Sequence, residues 1–250
     1  YARKLSMSLL LNGTRRWYVA KYLDTPPEDN DYFHDYMEKV LSELANLVEL
    51  LASHGLYRLF MPVYSWYQPS RNPVAHHYLL KGIEALVMHP QLLDVYRRRN
   101  IQVRFYGDVS HFPPELQAII HTATRPLDAP AHYLYFGVDG GNPYNHTLTL
   151  AHDYSIEHGR APNWEDMLEL YYGDRTLTRL DILVAFNRIY SRGGIPHLLE
   201  GGDRIYASVV TPLVLSELSL RQILYDFLYN RQDQGRDYRD IHPRELIRLK

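Results

Sequence analysis

The 250-residue sequence predicts an α/β fold, a single domain with a mainly parallel six-stranded sheet flanked by helices. Three observations carry that expectation. Short apolar runs alternate with longer segments whose apolar residues recur at helical spacing. Most runs stop at turn residues, such as Asn12-Gly13, Gly107-Asp108 and Asp139-Gly140-Gly141-Asn142-Pro143. The intervening lengths suit crossover helices, which join parallel neighbours.

In chain order, Ser6 to Leu11 reads as a buried strand. From Tyr36, the spacing Met37, Val40, Leu41, Leu44, Leu47, Val48, Leu51 gives a helix with one apolar face, closed by His54-Gly55. Tyr57 to Tyr64 is the next strand, and 78–98 is helical with an interruption near Pro90. Ile101 to Tyr106 and Tyr133 to Val138 are strands, followed by helices around 145–158 and 163–172. Leu180 to Phe186 and Ile205 to Val210 complete six strands, and Ser216 caps a helix running to Tyr229. No repeat, low-complexity stretch or linker interrupts the chain, so one domain over 1–250 is expected, with a polar tail after Arg231. In such sheets ligands bind beyond the carboxyl ends of the strands. Attention therefore falls on the segments after Leu11, Tyr64, Tyr106, Val138 and Phe186.

Composition narrows the chemistry. Hydrophobic content of 46% and charged content of 22% are those of a globular chain. Without cysteine there is no thiol nucleophile, disulfide or Cys-ligated metal. The 27 basic and 29 acidic side chains leave no basic field for nucleic acid, and no apolar run approaches a membrane span of about 20 residues. The opening Tyr1-Ala2-Arg3-Lys4 has no signal-peptide pattern, so a cytoplasmic location is expected. The 22 Tyr outnumber 7 Phe and 3 Trp, an excess that core packing alone does not require.

The sharpest segment is Asn12-Gly13-Thr14-Arg15-Arg16-Trp17, directly after the first strand. A helix starting here would present free N–H groups beside two arginines, which suits a phosphate or diphosphate. A plain strand-to-helix turn with a solvated Arg pair fits the spacing equally well.

That hexapeptide resembles the Asp-Gly-Asn-x-Arg-Trp signature of the cis-prenyltransferases, the undecaprenyl diphosphate synthase family. It is more similar to the Asp-Gly-Thr-Arg-Arg-Trp of diterpene synthases on that fold, typified by tuberculosinol/isotuberculosinol synthase and kolavelool synthase. Further matches run in order: Phe105-Tyr106-Gly107-Asp108, Tyr171-Tyr172-Gly173-Asp174, Phe186-Asn187-Arg188 and Ile223-Leu224-Tyr225-Asp226, with Tyr229 and Arg231 beyond. The resemblance implies a diterpene synthase that takes a bicyclic C20 prenyl diphosphate, of kolavenyl or tuberculosinyl/halimadienyl type, made by an upstream class II diterpene cyclase. The enzyme would ionise it, release diphosphate and quench the cation with water to give an alcohol. The resemblance also implies a Mg²⁺ cofactor and a homodimer, with the tail after 231 a candidate dimer element.

By the same resemblance, Gly13, Thr14, Arg15, Arg16 and Arg188 bind the diphosphate, and Tyr36 and Tyr78 stabilise the cation or position water; without the resemblance each tyrosine reads first as an ordinary helix-face aromatic. Asn12 occupies the position of the family's catalytic, metal-linked Asp. An amide keeps the shape but is a poor metal ligand and no base. It reads as an engineered inactivating change, as a natural variant whose Mg²⁺ is held by the diphosphate, or as the mark of a silent relative; the first is favoured because the rest of the site is intact. Two alternatives stand beside the synthase: condensation of allylic diphosphates with isopentenyl or dimethylallyl diphosphate, and a non-catalytic partner subunit.

Other features are weaker. Neither Asp-Asp-x-x-Asp nor Asp-x-Asp-Asp occurs, and Gly193-Gly194-Ile195-Pro196-His197 stands where elongating enzymes carry a basic motif. Asp108 and Asp174 read as turn residues, and His76-His77 as solvated or core-lining.

Overall fold

The computed structural model describes residues 4–22, 29–65, 73–186, 196–199 and 204–230. Two compact units divide the chain, Tyr1–Leu215 and Ser216–Lys250. The first contains six strands: β1 (Ser6–Leu9), β2 (Arg58–Ser65), β3 (Ile101–Tyr106), β4 (His132–Asp139), β5 (Ile182–Phe186) and β6 (Ile205–Ser208). They form one sheet in the order β3-β4-β2-β1-β5-β6, and every pairing is parallel. Strand identity therefore matches the sequence expectation, with ends shifted by a few residues.

Among the described residues, seven α-helices lie between the strands: α1 (Thr14–Tyr22), α2 (Asp29–Ser53), α3 (Pro73–Ala85), α4 (Pro90–Arg98), α5 (Pro114–Ala123), α6 (Pro143–His158) and α7 (Trp164–Tyr172). The second unit holds α8 (Glu217–Tyr225), continued by a π-helical turn over Asp226–Asn230. The Ser216 side chain accepts the Ser219 N–H at its start, the expected N-cap. Pro90 begins a new helix instead of kinking an old one; the break is the turn before it, since proline is well placed at a first helical position. Helix α5 escapes the sequence reading because Pro113 and Pro114 resemble a loop, although Pro114 is only the first residue of the helix. Asn163 closes a capping box with Asp166 and so fixes the start of α7.

At the carboxyl edge the centre of the sheet opens. β1 ends at Leu9, two residues earlier than its apolar run suggests, and its ladder to β2 stops at Ser8↔Phe60. Beyond that point β2 carries Pro62, which has no N–H to donate, and its register against β4 shifts between Pro62 and Tyr64. A proline is tolerated in this central strand because its β1 neighbour has already turned away.

Candidate active site

The departing chain makes the first wall. The Asn12 N–H donates to the Leu10 carbonyl at 2.7 Å, and Gly13 comes next at φ 81°, a left-handed conformation that glycine adopts without strain. The Gly13 carbonyl then accepts the Trp17 N–H at 3.0 Å, which starts α1 at Thr14. The helix conditional on this segment does form, and its first-turn N–H groups lie among Thr14, Arg15 and Arg16. Arg15 and Arg16 are both exposed, and among the described residues neither has an ion-pair partner.

A cavity of about 420 Å³ opens there, between the end of β1, the bulged part of β2, and helices α2 and α3. Asn12, Gly13, Thr14, Arg15, Arg16, Tyr36 and Tyr78 all line it. Arg188 and Asn187 lie outside the described residues, as do Arg231 and most of the Gly193–His197 stretch. Apart from His76, the rest of the wall is apolar, including Met37, Val40, Leu41 and Leu44 from the predicted face of α2, Pro62 and Val63 from β2, and Leu79, Ile83 and Leu86 from the α3 side. Gly82 lets α3 approach α2, for a Cβ there would sit 2.8 Å from Met37 Cε. One end of the cavity is thus cationic and polar, and the remainder is greasy. The volume lies within the roughly 300–1,000 Å³ of small-molecule sites.

Aromatic contacts order the polar end. Thr14 Oγ1 and the Tyr36 hydroxyl share a 2.7 Å hydrogen bond, tying α2 to the start of α1. Burial pushes the Tyr36 phenol above its ordinary value, while the Thr14 bond and the Arg15 charge act in the opposite direction. Tyr36 stacks on Tyr32 and meets Tyr18 edge-on, with centroids 6.2 and 5.4 Å apart. Tyr18 donates to Asp35 at 2.5 Å; burial first, then that carboxylate, push its phenol up to about 12. Tyr78 stacks on Phe33 with centroids 4.4 Å apart.

No protein-family model matches the chain. It is 26% identical over 227 residues to the tuberculosinyl adenosine transferase of Mycobacterium tuberculosis (strain CDC 1551 / Oshkosh), a match spanning 88% of this chain and 74% of that protein. Among solved structures it resembles lavandulyl diphosphate synthase from Lavandula x intermedia in complex with dimethylallyl diphosphate, with a TM-score of 0.69 at 13% identity, covering 88% of this chain and 93% of that one. A probable undecaprenyl diphosphate synthase from Campylobacter jejuni aligns with a TM-score of 0.63 at 13% identity, over 94% and 100% of the two chains. The chain has the cis-prenyltransferase fold.

Within this cis-prenyltransferase fold, the expected magnesium ion can be tested against the donors. Among the described residues no Asp or Glu lines the cavity. Asn12 offers one neutral amide oxygen, and Asp35 is engaged by Tyr18. No group of three His, Asp or Glu side chains among the described residues could hold a metal. Magnesium is a hard cation that proteins hold through carboxylates. Among the described residues, the donor set of the cavity does not fit it.

Sequence reading misses His76 as a site residue. It lines the cavity, and its Nε2 lies 2.9 Å from the hydroxyl of buried Tyr64 at the end of β2. Nothing in a His-His pair predicts this; the usable signal is the register that places Tyr64 at a strand terminus. Asp108 and Asp174 make the turn contacts expected of them, each accepting an N–H two residues on, from Ser110 and Thr176. Asp174 does more, since its other oxygen accepts from the Tyr135 hydroxyl at 2.7 Å and pairs with Arg58 at 3.3 Å. No helix among the described residues is long and apolar enough to cross a membrane.

Proposed function

We propose that the protein is a prenyl diphosphate enzyme of the diterpene synthase kind, ionising a bicyclic C20 allylic diphosphate and capturing the cation with water. The observation that supports this best is one cavity with a cationic, N–H-rich mouth on an apolar body. Heterolysis of an allylic C–O bond leaves both electrons on diphosphate. Arg15, Arg16 and the first turn of α1 would stabilise that growing charge, because preorganised donors act most strongly where charge develops. Arg188 is assigned to the same task by its motif.

The cation remaining in the pocket needs walls without a strong nucleophile. Tyr36 and Tyr78 offer π-faces there, and the Tyr36 hydroxyl, held by Thr14, is aimed by that bond toward the diphosphate end. Addition of water forms a C–O bond, and the proton it sheds needs an acceptor. His76 is the imidazole in the wall suited to receive it. A homodimer and an upstream class II cyclase belong to this reading by family resemblance.

A second reading has a specific observation behind it. The relative from Mycobacterium tuberculosis is named for transfer to adenosine. An acceptor other than water, including isopentenyl diphosphate, would use the same ionisation. Product analysis after incubating the bicyclic C20 diphosphate alone, with adenosine, or with isopentenyl diphosphate separates these. The synthase reading expects the same alcohol in all three; an adenosine adduct or a lengthened prenyl chain would replace it with the second.

A further inference from the structure

Resting on the diphosphate assignment above, we infer that this site binds diphosphate without a divalent metal, the Asn12 amide serving as a hydrogen-bond donor where a carboxylate would need a bridging cation. The charge balance of the cavity wall supports it. An aspartate at position 12 would face a polyanionic ligand with its own negative charge, an arrangement that repels unless a cation lies between them. Asn12 removes that charge, and its NH₂ group can donate directly to a phosphate oxygen. The charge a metal would contribute is then available from Arg15 and Arg16, which line the same wall, and from the first-turn N–H groups of α1.

The surroundings agree at each point. Asp35, adjacent to Tyr36, is held by the Tyr18 hydroxyl at 2.5 Å. The Tyr36 hydroxyl is bonded to Thr14, so it adds no anionic oxygen, and its phenol is pushed further from ionisation by burial. His76 is a nitrogen donor engaged with Tyr64, and nitrogen is a poor ligand for magnesium. Among the described residues, the wall therefore collects positive and neutral donors and no carboxylate.

Calorimetric titration of the intact protein with an unreactive allylic thiodiphosphate tests this without requiring turnover. In EDTA the dissociation constant is expected to lie within about threefold of that in excess magnesium chloride. Arg15→Ala and Arg16→Ala should each weaken binding about tenfold or more in both buffers, because each removes a charge-assisted contact. Asn12→Asp should weaken binding about tenfold or more in EDTA and recover it on addition of magnesium, with an unchanged melting temperature showing that the fold is intact. If the native protein binds only with magnesium present, the metal-free inference is overturned while the diphosphate reading stands. If it binds under neither condition, the diphosphate reading falls and the inference with it.

Discussion

Tyr36 joins the two halves of the candidate chemistry through one hydroxyl. Its 2.7 Å bond to Thr14 ties the aromatic wall to the start of α1. Tyr36→Phe keeps the ring and deletes that bond, so turnover should fall about tenfold while the fold persists, measured by steady-state kinetics beside a thermal melt. Burial raises the phenol above 10.0, so it stays protonated throughout the neutral range. A pH–rate profile should accordingly show no loss of activity from this group below about pH 10.

Asp174 makes a different residue-scale test. Burial alone would raise its carboxyl, but Thr176, Tyr135 and Arg58 together hold it below the usual value. A depressed carboxylate contributes stability above its unfolded pKa and loses it as pH falls through the folded one. Asp174→Asn should therefore cost about 1.5–3 kcal/mol in urea unfolding at neutral pH, with the gap to the parent narrowing as pH falls below the ordinary carboxylate value of about 3.9. Its turn role was legible in the sequence from the Gly173-Asp174 pair. Its contacts with Arg58 and Tyr135, more than a hundred and nearly forty residues away, were not, because only the sheet register brings those side chains to it.

Elements were the most legible scale. All six strands announce themselves as apolar runs, and the α2 face Met37, Val40, Leu41, Leu44 is the one that lines the cavity. What the sequence conceals is termination. The apolar run through Leu11 hides the early end of β1, since strand pairing depends on the neighbour and not on the run itself. Gly13, with φ 81°, permits the turn beyond it. Gly13→Ala should cost about 1–2 kcal/mol in thermal or denaturant unfolding, the penalty of a Cβ in a left-handed conformation. Where α3 meets α2, Gly82→Ala presses on Met37 Cε at 2.8 Å. That methyl ends a flexible side chain, so stability should change little. The cavity should narrow instead, and competition binding should show affinity for a C20 diphosphate falling relative to a C10 one.

At the scale of the whole molecule, the parallel sheet places its opening where β1 and β2 part, and a cationic turn and an apolar groove share that opening. The strands were readable from their own apolar runs, whereas their order was not, because β2 pairs with β4 and β1 with β5 across intervening elements. The assembled cavity was readable only in part: the Asn12–Trp17 segment stands out by its own residues and Tyr36 and Tyr78 by the resemblance, whereas the contact of His76 with Tyr64 is one that no sequence spacing encodes. The tyrosine excess divides likewise, some residues packing against one another around α1 and α2 and others, including Tyr106, Tyr135 and Tyr172, buried in the core.

The most direct test is incubation of the purified protein with a bicyclic C20 allylic diphosphate in ¹⁸O-labelled water, with diphosphate release and product mass as the readouts. Release of inorganic diphosphate with one labelled oxygen in a C20 alcohol is the predicted result. An unreacted substrate, or a product bearing a new carbon–carbon bond when isopentenyl diphosphate is added, would contradict it.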